Sequence, residues 1–166
     1  MILLANSQGG LILSNQMNLD LNGILDYQQN RYPYLMIDHA TKIVPGKLSE
    51  GYKILKNDEW FFKVHWPSDP NMPGMLQIEA LVQMGSLAIL TLPGLKGKIL
   101  YLTKADNLKF FKKIVMNDRL DISTTLISWN RGIGQFEGTG YVEDMIACKA
   151  KFTLVLPEIV KNFKVL

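Results

Sequence analysis

A chain of 166 residues, 48% of them hydrophobic, has the length and apolar content of one domain with a sizeable core. Its net charge of +3 is too mild to mark a nucleic-acid binder, and neither a zinc-ligand spacing nor a phosphate-cradling glycine loop occurs. A single cysteine, Cys148, rules out an internal disulfide framework, and its place in the alternating run from Met145 to Phe152 makes it a small core residue of a strand.

Met1 to Ala5 is apolar, but no basic leader accompanies it and Asn6, Ser7 and Gln8 interrupt it, so no export and a cytoplasmic location are expected. Residues 1–20 read as an N-terminal extension. Asp20 or Asn22 can then cap a short helix through Ile24, Leu25 and Tyr27, ended by Pro33. Tyr34 to Val44 reads as a strand, Pro45-Gly46 as a turn, and Lys47 to Lys56 as a second strand with Leu48, Tyr52 and Ile54 on one face. Asn57 to Met72, with Pro67 and Pro70, reads as an irregular loop.

From Pro73 the pattern changes, because proline suits a helix's first turn and Met75 to Leu92 carries helix formers without a break. Apolar residues cover every side of this helix, so it should be buried all round. The longest apolar stretch, Met84 to Leu92, contains Gly85 and Ser86 and is too short to span a membrane. Lys98 to Thr103, Leu120 to Trp129, Gly134 to Val142 and Met145 to Leu156 read as strands, with turns at Asn130-Arg131-Gly132 and Glu143-Asp144. The expected fold class is α+β: one domain over residues 1–166, an antiparallel sheet wrapped around a long buried helix.

Glu79, Gln83 and Ser86, spaced by four and three, put a polar stripe on that buried helix. Such a stripe is either a hydrogen-bonded core network or a functional site. Burial disfavours a carboxylate and keeps the acid form, the state a general acid needs. Gly74 stands at the helix start, where N–H groups lack helical partners and an oxyanion can bind. His65 lies on a proline-stiffened segment just before the helix, placed to be a base or a structural residue, whereas His39 reads as structural or exposed. Lys104, Lys109, Lys112, Lys113 and Arg119 form a basic cluster with only Asp106 and Asp118 nearby in sequence.

The block from His65 through Pro67, Pro70 and Pro73 to Gly74, followed by Glu79 and Gln83, resembles the active-site block of the 3-hydroxyacyl-[acyl carrier protein] dehydratases of bacterial fatty-acid synthesis. The family pattern is G-H-F-P-x-x-P-x-x-P-G, then an acidic residue five positions on and a glutamine. Arg31 to Asp38 (RYPYLMID) resembles the family's R-Y-P-F-L-L-V-D, and Asp106 to Phe110 with Asp118 to Leu120 resembles its D-x-x-R-F and G-D-x-L. The likeness spans about Leu21 to Leu156. Glutamate on the helix is similar to the members without double-bond migration, which carry it where the dehydratase-isomerases carry aspartate. Departures are Val64 and Ser68 for glycines, Asn30 for histidine, Lys113, Met116 and Asn117 for proline, proline and glycine, and Lys109 and Phe111 for arginines.

The resemblance implies a hot-dog fold, no cofactor, and a homodimer with its two long helices side by side, able to assemble further. It implies that His65 of one subunit faces Glu79 of the other. The chemistry that follows gives His65 the C2 proton of a 3-hydroxyacyl thioester, Glu79 the departing hydroxyl, the Gly74 N–H the thioester oxygen, and Gln83 the orientation of Glu79. An acyl carrier protein is the implied partner, with Lys109, Lys112, Lys113 and Arg119 as its docking cations. Two rivals are a hot-dog acyl thioesterase and a catalytically silent acyl-binding or regulatory protein; the His65 loop argues against the first, and Val64, Ser68 and Asn117 speak for the second.

Overall fold

In the computed structural model the residues described are 3–5, 11–13 and 16–160. Two short strands of the N-terminal extension, β1 (Leu3–Ala5) and β2 (Leu11–Leu13), pair with each other alone, Leu4 opposite Ile12. The main sheet has seven antiparallel strands. In chain order these are β3 (Met17–Leu19), β4 (His39–Val44), β5 (Leu48–Ile54), β6 (Tyr101–Phe110), β7 (Arg119–Asn130), β8 (Ile133–Val142) and β9 (Met145–Val155). Their spatial order is β3-β4-β5-β7-β8-β9-β6, which leaves β6 at one edge. The last residues of the extension thus belong to the main sheet, because Met17 pairs with Ile43.

Helix α1 (Leu21–Tyr27) starts as expected, with the Asp20 side chain accepting from the Gly23 N–H at 2.8 Å. It ends at Tyr27, well before Pro33. Tyr34 to Asp38 is not part of β4: the Met36 N–H donates to a side chain, Gln83 Oε1, instead of to a neighbouring strand. A short 3-10 helix, Trp60–Lys63, breaks the loop before His65. Strand β6 runs to Phe110, seven residues beyond the expected end, since an edge strand that is mostly exposed need not alternate in polarity.

The long helix α2 (Gly74–Leu90) lies against the concave side of the sheet, and every residue from Ala80 to Leu90 is buried. Met75, at its first turn, is exposed, so burial is not complete at that end. Two glycines permit the close approach. A Cβ on Gly51 would stand 2.0 Å from the His39 carbonyl oxygen and 2.6 Å from Met84 Cε, and one on Gly85 would meet the Phe152 ring at 2.9 Å. The helix-facing residues of β5 are therefore Ser49, Gly51 and Lys53, while Leu48, Tyr52 and Ile54 share the opposite face. Ser49 Oγ donates to the Met84 carbonyl at 2.6 Å, tying strand to helix.

Lys53 enters the interior only with a partner. Its Nζ lies 2.6 Å from Glu59 Oε1, both side chains 5% exposed, and 3.7 Å from Asp38 Oδ1. This pair clamps β5 to the segment that opens the 3-10 helix. Cys148 is buried as expected, and burial pushes its thiol up to about 11, outside the range of a reactive thiolate at neutral pH. Among the described residues no helix is long and apolar enough to cross a membrane.

Candidate active site

Three backbone facts place His65. The 3-10 helix ends in a His65 N–H to Phe61 carbonyl bond of 2.8 Å, Met72 is pinned by its N–H to the Ile114 carbonyl at 2.8 Å, and α2 begins two residues later. His65 Nδ1 is 3.0 Å from the Asn71 carbonyl oxygen, an acceptor, so Nδ1 carries the proton and Nε2 keeps its lone pair. Asn71 is held in turn by its Nδ2 donating to the Asp69 carbonyl at 2.7 Å. The imidazole stacks on Trp66 with centroids 4.4 Å apart. Trp66 has φ 50°, a left-handed conformation that costs an aromatic residue roughly 1–3 kcal/mol and must be held by its surroundings.

His65 and Gly74 line one cavity, with Asn71, Gln77, Phe110 and Lys112. The α2 N-cap, Pro73, supplies no side-chain cap, and the first bonds into its carbonyl come from Leu76 and Gln77. The Gly74 N–H therefore stays available at the positive end of the helix dipole. Side-chain bulk at this position would press on Phe110, whose ring would be 3.0 Å from a Cβ.

Glu79 and Gln83 line a different cavity, bounded by the segment Gln28 to Asn30 that follows α1, by α2, and by the chain entering β6. Gln83 is 2% exposed and fully engaged: Nε2 donates to Glu79 Oε1 at 2.8 Å and to the Tyr34 carbonyl at 2.9 Å, and Oε1 accepts from the Met36 N–H at 2.7 Å. Because both amide hydrogens meet acceptors and the oxygen meets an N–H, the amide cannot flip and the carboxyl is held in one orientation. Ser86, the third member of the stripe, donates to the Gln83 carbonyl at 2.7 Å and belongs to the same network. Burial raises the Glu79 pKa, opposed by hydrogen bonds from Gln83 and the Tyr34 side chain.

Tyr34 is a contact that sequence reasoning missed. Its signal was the tyrosine in RYPYLMID where the family pattern has phenylalanine. Burial and the Glu79 charge both raise the Tyr34 pKa, so the phenol stays protonated and serves as a donor. Since this bond lowers the Glu79 pKa, Tyr34→Phe should raise it, and the alkaline limb of the kcat/KM profile should move to higher pH. An unmoved limb in the folded variant would show that the phenol does not act on Glu79.

The basic cluster is divided rather than gathered. Lys112 and Lys113 line the His65 cavity, and pair with Glu143 at 3.0 Å and with Asp69. Lys109 sits beside Lys149 on the sheet face, the two being register partners on β6 and β9. Arg119 pairs with Asp121 at 2.8 Å and lies over the Tyr52 ring, while Lys104 pairs with Asp106 at 2.8 Å. Two of these carboxylates, Glu143 and Asp69, come from distant sequence positions, which is why local composition overstated the excess around Lys112 and Lys113. His39 is structural, stacked on Tyr52 with Nε2 2.8 Å from Asn18 Oδ1.

Comparisons with known proteins bear on the family and the fold. The family model for a FabA-like domain matches residues 29–151. The 3-hydroxyacyl-[acyl-carrier-protein] dehydratases FabZ of Clostridium novyi (strain NT) and Clostridium botulinum (strain Kyoto / Type A2) are 37% and 41% identical over 140 residues. That is 83% of this chain and 99% and 96% of theirs. Among solved structures, the dehydratase heterocomplex ApeI:P from Xenorhabdus doucetiae superposes with TM-score 0.69 at 14% identity, covering 81% of this chain and 90% of that one. A hypothetical thioesterase with coenzyme A from Streptococcus pneumoniae TIGR4 gives 0.53 at 15%, covering 68% and 80%. At such identities these two structures establish the hot-dog fold and nothing more.

Proposed function

The chain belongs to the 3-hydroxyacyl-[acyl-carrier-protein] dehydratase family and is a hydro-lyase, and we propose that His65 and Glu79 carry its reaction across a dimer interface. Neutral His65 takes the C2 proton at Nε2, the electron pair forms the C2–C3 double bond, and the C3–O bond breaks. The proton of Glu79 goes to the departing hydroxyl, which leaves as water. The Gly74 N–H meets the charge that collects on the thioester oxygen, a donor worth on the order of 3 kcal/mol in the transition state. Transfer of the proton from His65 back to Glu79 resets the pair.

One observation carries the shared site: within a chain, the base and the oxyanion donor line one cavity while the acid and its orienting amide line another. A second copy that brings its Glu79 wall to the first copy's His65 wall would complete both halves. The exposed edge supports this, because β6 carries charges at Lys104, Asp106 and Lys109 but presents Leu102 at 40% and Phe110 at 48% exposure towards its two ends. Purified protein should interconvert 3-hydroxyacyl and trans-2-enoyl thioesters without releasing thiol from saturated acyl thioesters. Thiol release with no enoyl product would favour the thioesterase reading instead.

The carrier is an acyl carrier protein, whose acidic surface meets the basic residues at the mouth of the His65 cavity. The Lys113–Asp69 pair is exposed and Lys112, itself half-buried, pairs with an exposed Glu143; such pairs are worth little, so they can exchange for carboxylates of a partner. Replacing Lys109, Lys112 and Lys113 with glutamate should raise KM for carrier-bound substrate at low ionic strength and leave a short synthetic thioester unaffected. Equal losses on both substrates would contradict a docking role.

A further inference from the structure

The cavity that holds Glu79 continues along α2, past Val82 and Ser86 to Leu90, with Leu102 and Leu154 facing the helix. From Glu79 to Ser86 the helix rises about 10 Å. An acyl chain whose C3 hydroxyl meets Glu79 would extend along this wall. The wall is mixed: Val82, Leu90, Ile99, Leu100, Leu102 and Leu154 give it an apolar part, as an alkyl chain requires, and of its polar residues Gln28 is buried at 3% exposure. Among the described residues neither Gln28 Nε2 nor Oε1 has a hydrogen-bond partner.

This is an unusual arrangement to keep. A buried amide without partners costs more than an apolar side chain of similar size would. The backbone of Gln28 is fixed on both sides, by its N–H to the Ile24 carbonyl at 3.0 Å and by Arg31 Nη1 donating to its own carbonyl at 2.8 Å. The side chain lies at the cavity wall, and its soft terminal torsion can turn the amide toward a ligand. Ser86 Oγ, on the same wall, uses its proton on Gln83 and retains acceptor capacity. Together they offer one donor group and two acceptors to a ligand oxygen lying beyond the reacting carbons.

We propose that Gln28 is a specificity residue that takes up a hydroxyl or oxo group on the distal part of the acyl chain, so that the preferred substrates are oxygenated 3-hydroxyacyl thioesters rather than plain alkyl ones. This rests on the placement of the reacting carbons at Glu79. Sites built around a buried polar group reject analogues that leave it unpaired, and a loss of about tenfold or more in kcat/KM is expected for the plain chain.

The test compares two synthetic 3-hydroxyacyl thioesters of equal length, one with a plain alkyl tail and one with a second oxygen about 10 Å from C3, the helix rise from Glu79 to Ser86. The wild-type protein should prefer the oxygenated chain. Gln28→Leu, and Gln28→Met as a second variant of similar bulk, should lose that preference while still turning over the plain chain. Equal rates on both substrates in the wild type would overturn the inference, as would a preference that survives in either variant, since the amide would then not be the group that selects the oxygen. Dehydration of neither substrate would remove the placement of the site at Glu79, and the inference with it.

Discussion

His65→Ala and Glu79→Gln should each lower kcat/KM for dehydration by about a hundredfold or more, the usual contribution of a positioned acid or base. The two losses differ in their side effects. His65→Ala removes the ring that stacks on Trp66 and bonds the Asn71 carbonyl, so some loosening of the 65–71 loop should accompany it. Glu79→Gln removes a group whose pKa is raised by burial. A carboxyl with a folded pKa above its unfolded one supports stability fully only below the unfolded pKa, and that support is lost as pH rises through the folded value. At neutral pH and above, Glu79→Gln should therefore be as stable as the wild type or more so, measured by Tm across pH 5 to 8. A folded variant of either kind with near-normal turnover would end the proposed mechanism.

The second large effect is structural. Glu59→Ala leaves the Lys53 ammonium buried with only Asp38 at 3.7 Å, and breaking a buried pair from one side costs about 3–5 kcal/mol. The lost ion pair also frees the residue that opens the 3-10 helix, whose backbone carbonyl accepts the Phe62 N–H at 3.1 Å with either side chain, from its anchor on β5. Turnover should thus fall along with Tm, because His65 is only three residues beyond Phe62. The double variant Lys53→Met with Glu59→Leu should recover much of the stability, as apolar replacements for a whole buried pair commonly do. A Glu59→Ala protein as stable as wild type would show that water reaches the pair.

The parts of this fold that could be read from the sequence are those where local pattern and tertiary role coincide. Helix α2 is one: its proline-led start, its unbroken helix formers and its all-round apolarity follow from a buried position, and the structure differs only at Met75 and by two residues at the end. Strands β7, β8 and β9 alternate as half-buried strands do and were legible to within a residue or two. Leu48, Tyr52 and Ile54 share a face of β5 as read, but which face meets the helix was not legible, because the helix sits on Gly51 and the absence of a side chain leaves no hydrophobic signal. Tyr34 to Asp38 has strand-like composition, but its Tyr34 carbonyl and Met36 N–H are claimed by Gln83, forty-seven residues from Met36.

The candidate site shows the same division. His65, Gly74, Glu79 and Gln83 stood out because each occupies a marked position in a short motif. What orients them did not, since the acceptors are backbone carbonyls: Asn71 for the His65 ring and Tyr34 for Gln83. A carbonyl is common to every residue and leaves no trace in composition. Gln28 was invisible for a related reason, as its significance lies in bonds that it does not make within the chain.

Subunit exchange between the two inactive variants tests the central claim most directly. Mixed dimers of His65→Ala and Glu79→Gln contain one site with both lesions and one with none, so random mixing should restore about a quarter of wild-type activity to two proteins that have almost none alone. No recovery of turnover, with mixed dimers demonstrated by mass, would contradict a site shared between His65 of one subunit and Glu79 of the other.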